Sequence, residues 1–320
     1  MKKLIIIALV IGIIAVIILS ILQRQPALEV SQEFSTNVDS QISTIYNVSF
    51  TGDSPNLPTT LPILDVTNTH KHPEVIQHLI ENYELETVVA NNLWVNQQTN
   101  VSLSQTTLGC YLFDTASDPS NTVITTSWTT EQVLDAATSF LTEVVGETGV
   151  TPLVSDIYYL SGFLGEAAIT APLAADHAVV PFSYTFQNTP VFYSKDLSLP
   201  FHVHIDRNLQ PFMLDFCPTS HNFTQKEVWP LLSVDQAVAN ISRNRGNTSI
   251  LAIGQENFQD YNPSLFNSGT LNTVSLEYRI DETAKLAYPF YRFTGTLIDR
   301  SNVPVEVQLI TPAINVAVTR

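Results

Sequence analysis

One unbroken apolar run and two alternating hydrophobic periods divide this chain. Leu4–Leu22 carries no charge and, apart from Gly12 and Ser20, consists of Ile, Leu, Val and Ala. As a helix it would be about 28 Å long, close to the roughly 30 Å hydrocarbon core of a bilayer. The pattern predicts a spanning helix, kept as a signal anchor because Ser20–Gln25 offers no small-residue cleavage pattern. Lys2 and Lys3 precede the run, which sets the N-terminus in the cytoplasm and everything beyond Arg24 outside.

Beyond a polar tether at 25–36 the period changes to two. Gln41–Phe50 alternates as a half-buried strand would, and Leu61, Ile63, Leu64 and Val66 beside Pro58 and Pro62 predict an edge strand. Pro73 opens a short helix whose Val75, Ile76, Leu79 and Ile80 repeat at helical spacing, ending near Tyr83. Strands are predicted at Thr87–Val95 and Val101–Phe113, parted by the polar Asn96–Asn100 turn.

One pattern then occurs twice. Thr129-Thr130-Glu131-Gln132 and Ser233-Val234-Asp235-Gln236 each place a hydroxyl three residues before a glutamine, with an acid between. This is a capping box, in which the hydroxyl accepts from the N3 amide and Gln reaches back to the cap, while the acid meets the helix dipole. Helices are predicted at about 129–146 and about 233–244. Strands follow the first at Ser155–Phe163, Pro181–Tyr193, Phe201–Ile205 and Pro211–Phe216. The second is followed by Ser249–Gly254, Val274–Ile280, Ala287–Gly295 and Val303–Ile310. The expected fold class is therefore α+β, a transmembrane helix followed by an extracytoplasmic ectodomain of tandem helix-plus-antiparallel-sheet units. The boundaries read as 1–24 stub and anchor, 25–36 linker, 37–126 an N-terminal β-rich region, 127–222 a first unit and 223–320 a second.

These helix openings, with Phe182-Ser183-Tyr184-Thr185-Phe186 before Thr189-Pro190-Val191-Phe192, Val274-Ser275-Leu276-Glu277-Tyr278 and Tyr288-Pro289-Phe290-Tyr291-Arg292-Phe293, resemble the PepSY superfamily. Within it the chain is most similar to the YycI-type membrane-anchored regulators of two-component histidine kinases, over residues 127–320. It departs from them in having Asp299-Arg300-Ser301-Asn302 where an Asp-Gly turn would join the last strands, and in its extra N-terminal region. The resemblance implies binding or regulation and carries over no catalytic residue; the expected target is an envelope partner, a sensor kinase or protease, or an envelope component.

Charge narrows the partners. The chain has 14 basic and 30 acidic residues, a formal −16; with Lys2, Lys3 and Arg24 set aside, 11 bases face 30 acids. Such a domain repels phosphate backbones, which excludes nucleic acid. The partners left are the bilayer, through Leu4–Leu22, and an envelope protein. Cys110 and Cys217 lie in two separate apolar strands on the oxidising side. A disulfide closing that long loop would stabilise the fold by about 4.7 kcal/mol in the chain-entropy model. Buried free thiols fit the sequence as well, and slightly better, because nothing in it brings the two strands together.

The sharpest chemical pattern is His202-Val203-His204-Ile205-Asp206. Residues two apart on a strand share a face, so His202, His204 and Asp206 could present two imidazoles and a carboxylate to a metal ion. The competing reading has Phe201, Val203 and Ile205 in the core and the polar residues merely facing outward, and it is the commoner outcome. His70 and His72 form a loop pair, while His177 and His221 stand alone. Asp114 with Asp118, and Glu277 with Asp281, are acid pairs of the kind an acidic chain produces by chance. No G-x-S-x-G, H-E-x-x-H or glycine-rich phosphate loop occurs. Tyr288, Phe290, Tyr291 and Phe293 read as core rather than as an exposed aromatic patch. The expectation is a non-catalytic envelope protein without a cofactor, the alternatives being a metal-dependent enzyme centred on the two histidines and a passive surface protein.

Overall fold

The computed structural model describes residues 28–30, 47–53, 56–71, 73–89, 92–105, 110–115, 128–145, 149–162, 168–193, 201–217, 219–242, 249–252, 266–281 and 283–318. The early elements are strands β1 (Leu28–Val30), β2 (Val48–Phe50) and β3 (Thr60–Lys71), helix α1 (Pro73–Asn82), and the short strands β4 (Glu86–Val89), β5 (Leu93–Val95), β6 (Ser102–Gln105) and β7 (Tyr111–Asp114). Helix α2 (Thr130–Val145) leads into β8 (Val150–Pro152), β9 (Tyr158–Ser161), β10 (Ala168–Ile169), β11 (His177–Phe186), β12 (Thr189–Tyr193), β13 (Phe201–Asp206), β14 (Pro211–Phe216) and β15 (Thr219–Pro230). Helix α3 (Val234–Ser242) precedes β16 (Ser249–Ala252), β17 (Phe266–Asp281), β18 (Leu286–Asp299), β19 (Pro304–Pro312) and β20 (Val316–Val318).

Both capping boxes form as the sequence predicts. Gln132 N donates to Thr129 Oγ1 at 3.2 Å and Thr129 N to Gln132 Oε1 at 2.9 Å. Ser233 and Gln236 repeat the same pair of bonds at the same distances. From these starts α2 buries Val133, Ala137, Phe140, Leu141 and Val144 along one face, and α3 buries Ala237, Val238 and Ile241. Each large apolar side chain so buried contributes about 1.5–3 kcal/mol relative to exposure.

The predicted fold class is overturned. Instead of separate tandem units, nearly all strands join one mixed sheet, and among the described residues no helix is long and apolar enough to cross a membrane. The anchor expected at Leu4–Leu22 lies outside the described residues. One wing of the sheet runs β4-β5-β6-β7-β14-β13-β11, all antiparallel, under α1 and α2. The other runs β17-β18-β19-β16 beside α3, and β18 also meets β3, which pairs along its length with β15. Strand β12 joins the wings, pairing antiparallel to β11 and parallel to β17. A small third core of Leu64, Val66, Tyr184, Val191, Tyr278, Ile280 and Ala287 sits at that junction. Tandem units require each sheet to end before the next begins, and here β12 carries the ladder across while β15 runs unbroken through residues 222 and 223.

Pro181 and Pro289 lie inside central strands at points where one neighbour gives way to another. Pro181 of β11 accepts from Leu153 N at 2.8 Å, between the stretch paired with β9 and the stretch paired with β8. Pro289 of β18 accepts from Ala313 N at 3.0 Å, between the pairings with β3 and β19. A missing N–H is tolerated at such breaks because no ladder bond is due there.

Candidate functional site

The wings enclose a cleft of about 520 Å³. Its floor is the polar face of the second wing: Thr273 and Ser275 of β17, Arg292, Thr294 and Thr296 of β18, and Glu306 and Gln308 of β19. Its wall is the segment Ser155–Tyr158 that enters β9. Strand alternation produces this floor, because the intervening Val274, Phe293, Leu297, Val305, Val307 and Leu309 pack into the core on the opposite face. Gly295 at the floor is required by close approach: a Cβ there would stand 2.2 Å from Thr270 O.

Beneath the cleft lies a buried ion network. Glu277 receives Arg279 Nε on one carboxylate oxygen and Arg292 Nε on the other, both at 2.6 Å. Arg292 Nη1 reaches out to Asp156 Oδ2 at 2.5 Å and to Gln308 Oε1 at 3.3 Å. Both guanidinium groups lie over the Phe192 ring, at 4.7 Å for Arg279 and 4.3 Å for Arg292. Burial alone would raise the Glu277 carboxyl, but the two arginines outweigh it and hold the group below the usual carboxylate range. Burial likewise opposes the Arg292 charge, and Glu277 and Asp156 more than restore it. Arg292 Nη2 is buried without a hydrogen-bond partner among the described residues.

The other polar constellation is the outward face of β13. His202 stands directly opposite Asp215 of β14, and His204 Nε2 lies 3.5 Å from Asp215 Oδ2. His177 of β11 stacks on His204 at 5.7 Å and meets the Phe212 ring edge-on. Burial, with His204 nearby, pushes His177 down to about 4 against the opposing pull of Asp176. Burial takes His202 to about 4 as well, against Asp215. Phe201, Val203 and Ile205 are fully buried in the core beneath α1 and α2, as the alternation predicts.

The structure does not gather His202, His204 and Asp206 into one ligand set. Asp206 Oδ1 is spent on Asn208 N and Gln210 N, both at 2.8 Å, which shapes the turn between β13 and β14. Among the described residues no group of three or more His, Cys, Asp or Glu could hold a metal ion. His70 pairs opposite Ser220 and His221 opposite Asn68 in the β3–β15 ladder, while His72 and Asp118 lie outside the described residues. Asp281 accepts from Ala284 N in the β17–β18 turn, well apart in role from Glu277. Tyr288, Phe290, Tyr291 and Phe293 are all buried.

Cys110 and Cys217 form a disulfide, which corrects the preference for free thiols. The register of β7 on β14 sets Tyr111 opposite Phe216, so the cysteines fall opposite each other one step further along, with Cα atoms 4.1 Å apart. Glu277, which the sequence offers only as half of a chance acid pair with Asp281, is instead the centre of the network. Its signal was present: Glu277, Arg279 and Arg292 are charges set inside apolar, aromatic strands, where a charge needs a partner. The chain matches no protein-family model, no curated protein and no solved structure.

Proposed function

We propose that this chain is an extracytoplasmic binding module, without catalysis, that engages an envelope protein and regulates it through contact. The observation that carries the reading is the cleft: a concave, hydroxyl-lined space of about 520 Å³ on a floor fixed from below by paired charges. Its lining holds Ser155, Thr273, Ser275, Thr294 and Thr296; Ser155 Oγ donates to Asp156 Oδ1 at 3.0 Å, but that carboxylate is already held by Arg292 through its other oxygen. The Glu277 carboxylate is locked between two guanidinium groups, which suits a rigid floor and leaves no proton to exchange near neutral pH.

Placement outside the cytoplasm is supported by the Cys110–Cys217 disulfide, which persists where the environment is oxidising. The resemblance of the two helix openings to the YycI-type regulators supports regulation over catalysis. Crosslinking in intact cells tests the reading, with a photoreactive residue placed in turn at Ser275 and at Leu173, an exposed position away from the cleft. A discrete adduct with an envelope protein is expected. With correctly exported full-length chain, adducts absent from both positions would remove the binding role.

A further inference from the structure

The ladder around β17 is interrupted at the cleft. On one edge β17 pairs with β18 along its whole length. On the other, β2 pairs at Gly269–Leu271 and β12 at Tyr278–Ile280, both parallel to β17. Between them, among the described residues, Asn272–Glu277 has no strand neighbour. Gly52 closes the first step of this gap, since its backbone lies against Asn272 O so tightly that a Cβ would come within 1.8 Å. From Thr273 on the edge borders open space: Asn272, Thr273, Val274 and Ser275 all line the cleft, and Asn272, Thr273 and Ser275 are exposed.

We infer that this gap is a docking slot for an extended peptide, which adds as a strand to β17 between β2 and β12. The inference rests on the binding-module reading and names its occupant. An unpaired stretch of strand presents N–H and C=O groups that a second backbone satisfies. Of this stretch Asn272–Ser275 lines the cleft, about 13 Å at roughly 3.3 Å per residue, and Glu277 beyond it is buried, so the slot pairs three or four residues of a peptide. The slot continues an existing ladder at both ends, so the added strand meets preset spacing and twist.

The chemistry of the lining selects the peptide further. In the network, Glu277 and Asp156 already balance Arg279 and Arg292, so no uncompensated positive charge calls for an anion. Exposed Glu306 at the cleft and the −16 chain disfavour an acidic peptide and favour one with a basic side chain.

The test is selection of a phage-displayed library of random linear heptapeptides on the full chain, followed by synthesis of the enriched sequence with each backbone amide N-methylated in turn. Affinity is expected to fall at least tenfold at every second amide and little at those between, because a strand turns alternate residues toward its neighbour. Ser275→Trp and Thr296→Trp, both in the cleft, should each abolish binding without shifting the melting temperature, and Leu173→Trp should not affect it. Uniform tolerance of N-methylation, or binding indifferent to both cleft variants, overturns the slot. So does a glycan that binds the wild type and is lost in Ser275→Trp. If the library stays silent while photocrosslinks form from Leu173 alone, the binding module stands and the slot is wrong.

Discussion

Mild acid should destabilise this protein before its carboxylates titrate. His177 and His202 both have folded-state values near 4, held down by burial, against 6.5 in the unfolded chain. The unfolded state therefore binds the proton first. Above pH 6.5 neither state is charged and the effect vanishes; as pH falls from 6.5 toward 4, unfolding takes up protons and stability is lost. Between pH 7 and pH 5 each imidazole forfeits about 2 kcal/mol, about 4 kcal/mol for the pair, a large part of an ordinary domain's 5–15 kcal/mol. Glu277 contributes in a different window: its value lies below the ordinary 4.5, so its share is kept above that and lost only further down. Urea unfolding at pH 7, 6 and 5 isolates the histidines. His177→Phe and His202→Phe should each remove about half of the pH dependence, whatever they do to absolute stability at pH 7. A slope unchanged in both variants would falsify the assignment and move the acid sensitivity to another group.

Four further outcomes follow from the geometry. Glu277→Gln leaves two buried guanidinium groups short of their shared anion and should cost about 3–5 kcal/mol in chemical denaturation, with no compensating gain at low pH. Cys110→Ser with Cys217→Ser should lower stability by about 4.7 kcal/mol if chain entropy dominates, and the unreduced, unfolded wild type should show no free thiol by titration. Gly295→Ala drives a methyl against Thr270 O and the Leu271 Cα and should cost about 1–3 kcal/mol, read as a drop in melting temperature. Gln187→Asn with Asn188→Gly should instead stabilise by about 1 kcal/mol, because both residues hold positive φ, 49° and 66°, in a two-residue hairpin turn that favours Asn-Gly.

What could be read from the sequence was local. The capping boxes at Thr129 and Ser233 lie within four residues each, and both form. The alternation of Phe201, Val203 and Ile205 with His202 and His204 gave the face of β13 correctly, and Pro211–Phe216 was placed to the residue. The hairpin between β11 and β12 was read as one strand, Pro181–Tyr193, because Gln187 and Asn188 carry no glycine to mark the turn. Strand β15 escaped because Asn222, Thr224, Gln225, Lys226 and Glu227 are polar on both faces; it is held by its ladder to β3 and has no apolar period. The disulfide depends on the register of β7 against β14, about a hundred residues away, and no local pattern encodes that. The parallel pairing of β12 with β17 is equally non-local, and it is what turned expected tandem units into one sheet.

That same pairing explains why the cleft lies where it does. A sixteen-residue strand such as β17 is covered on one edge by β18, its hairpin partner, but among the described residues the opposite edge receives only short strands from distant parts of the chain. β2 contributes three residues and β12 three, each set by its own connections, and among the described residues they do not close the edge. The wing that carries β12 also brings Asp156 over Arg292, and Phe192 of β12 under both guanidinium groups, so the join between the wings and the charged floor are one construction. Buried charges of this kind are costly unless fully paired, and the pairing here draws on both wings: Glu277, Arg279, Arg292 and Gln308 from one, Asp156 from the other. Shifting β12 by one residue along β17 would turn Phe192 to the other face of the sheet, away from both arginines. The network therefore fixes the register of the junction, and by fixing it holds the open edge of β17 at a constant width for whatever strand is to fill it.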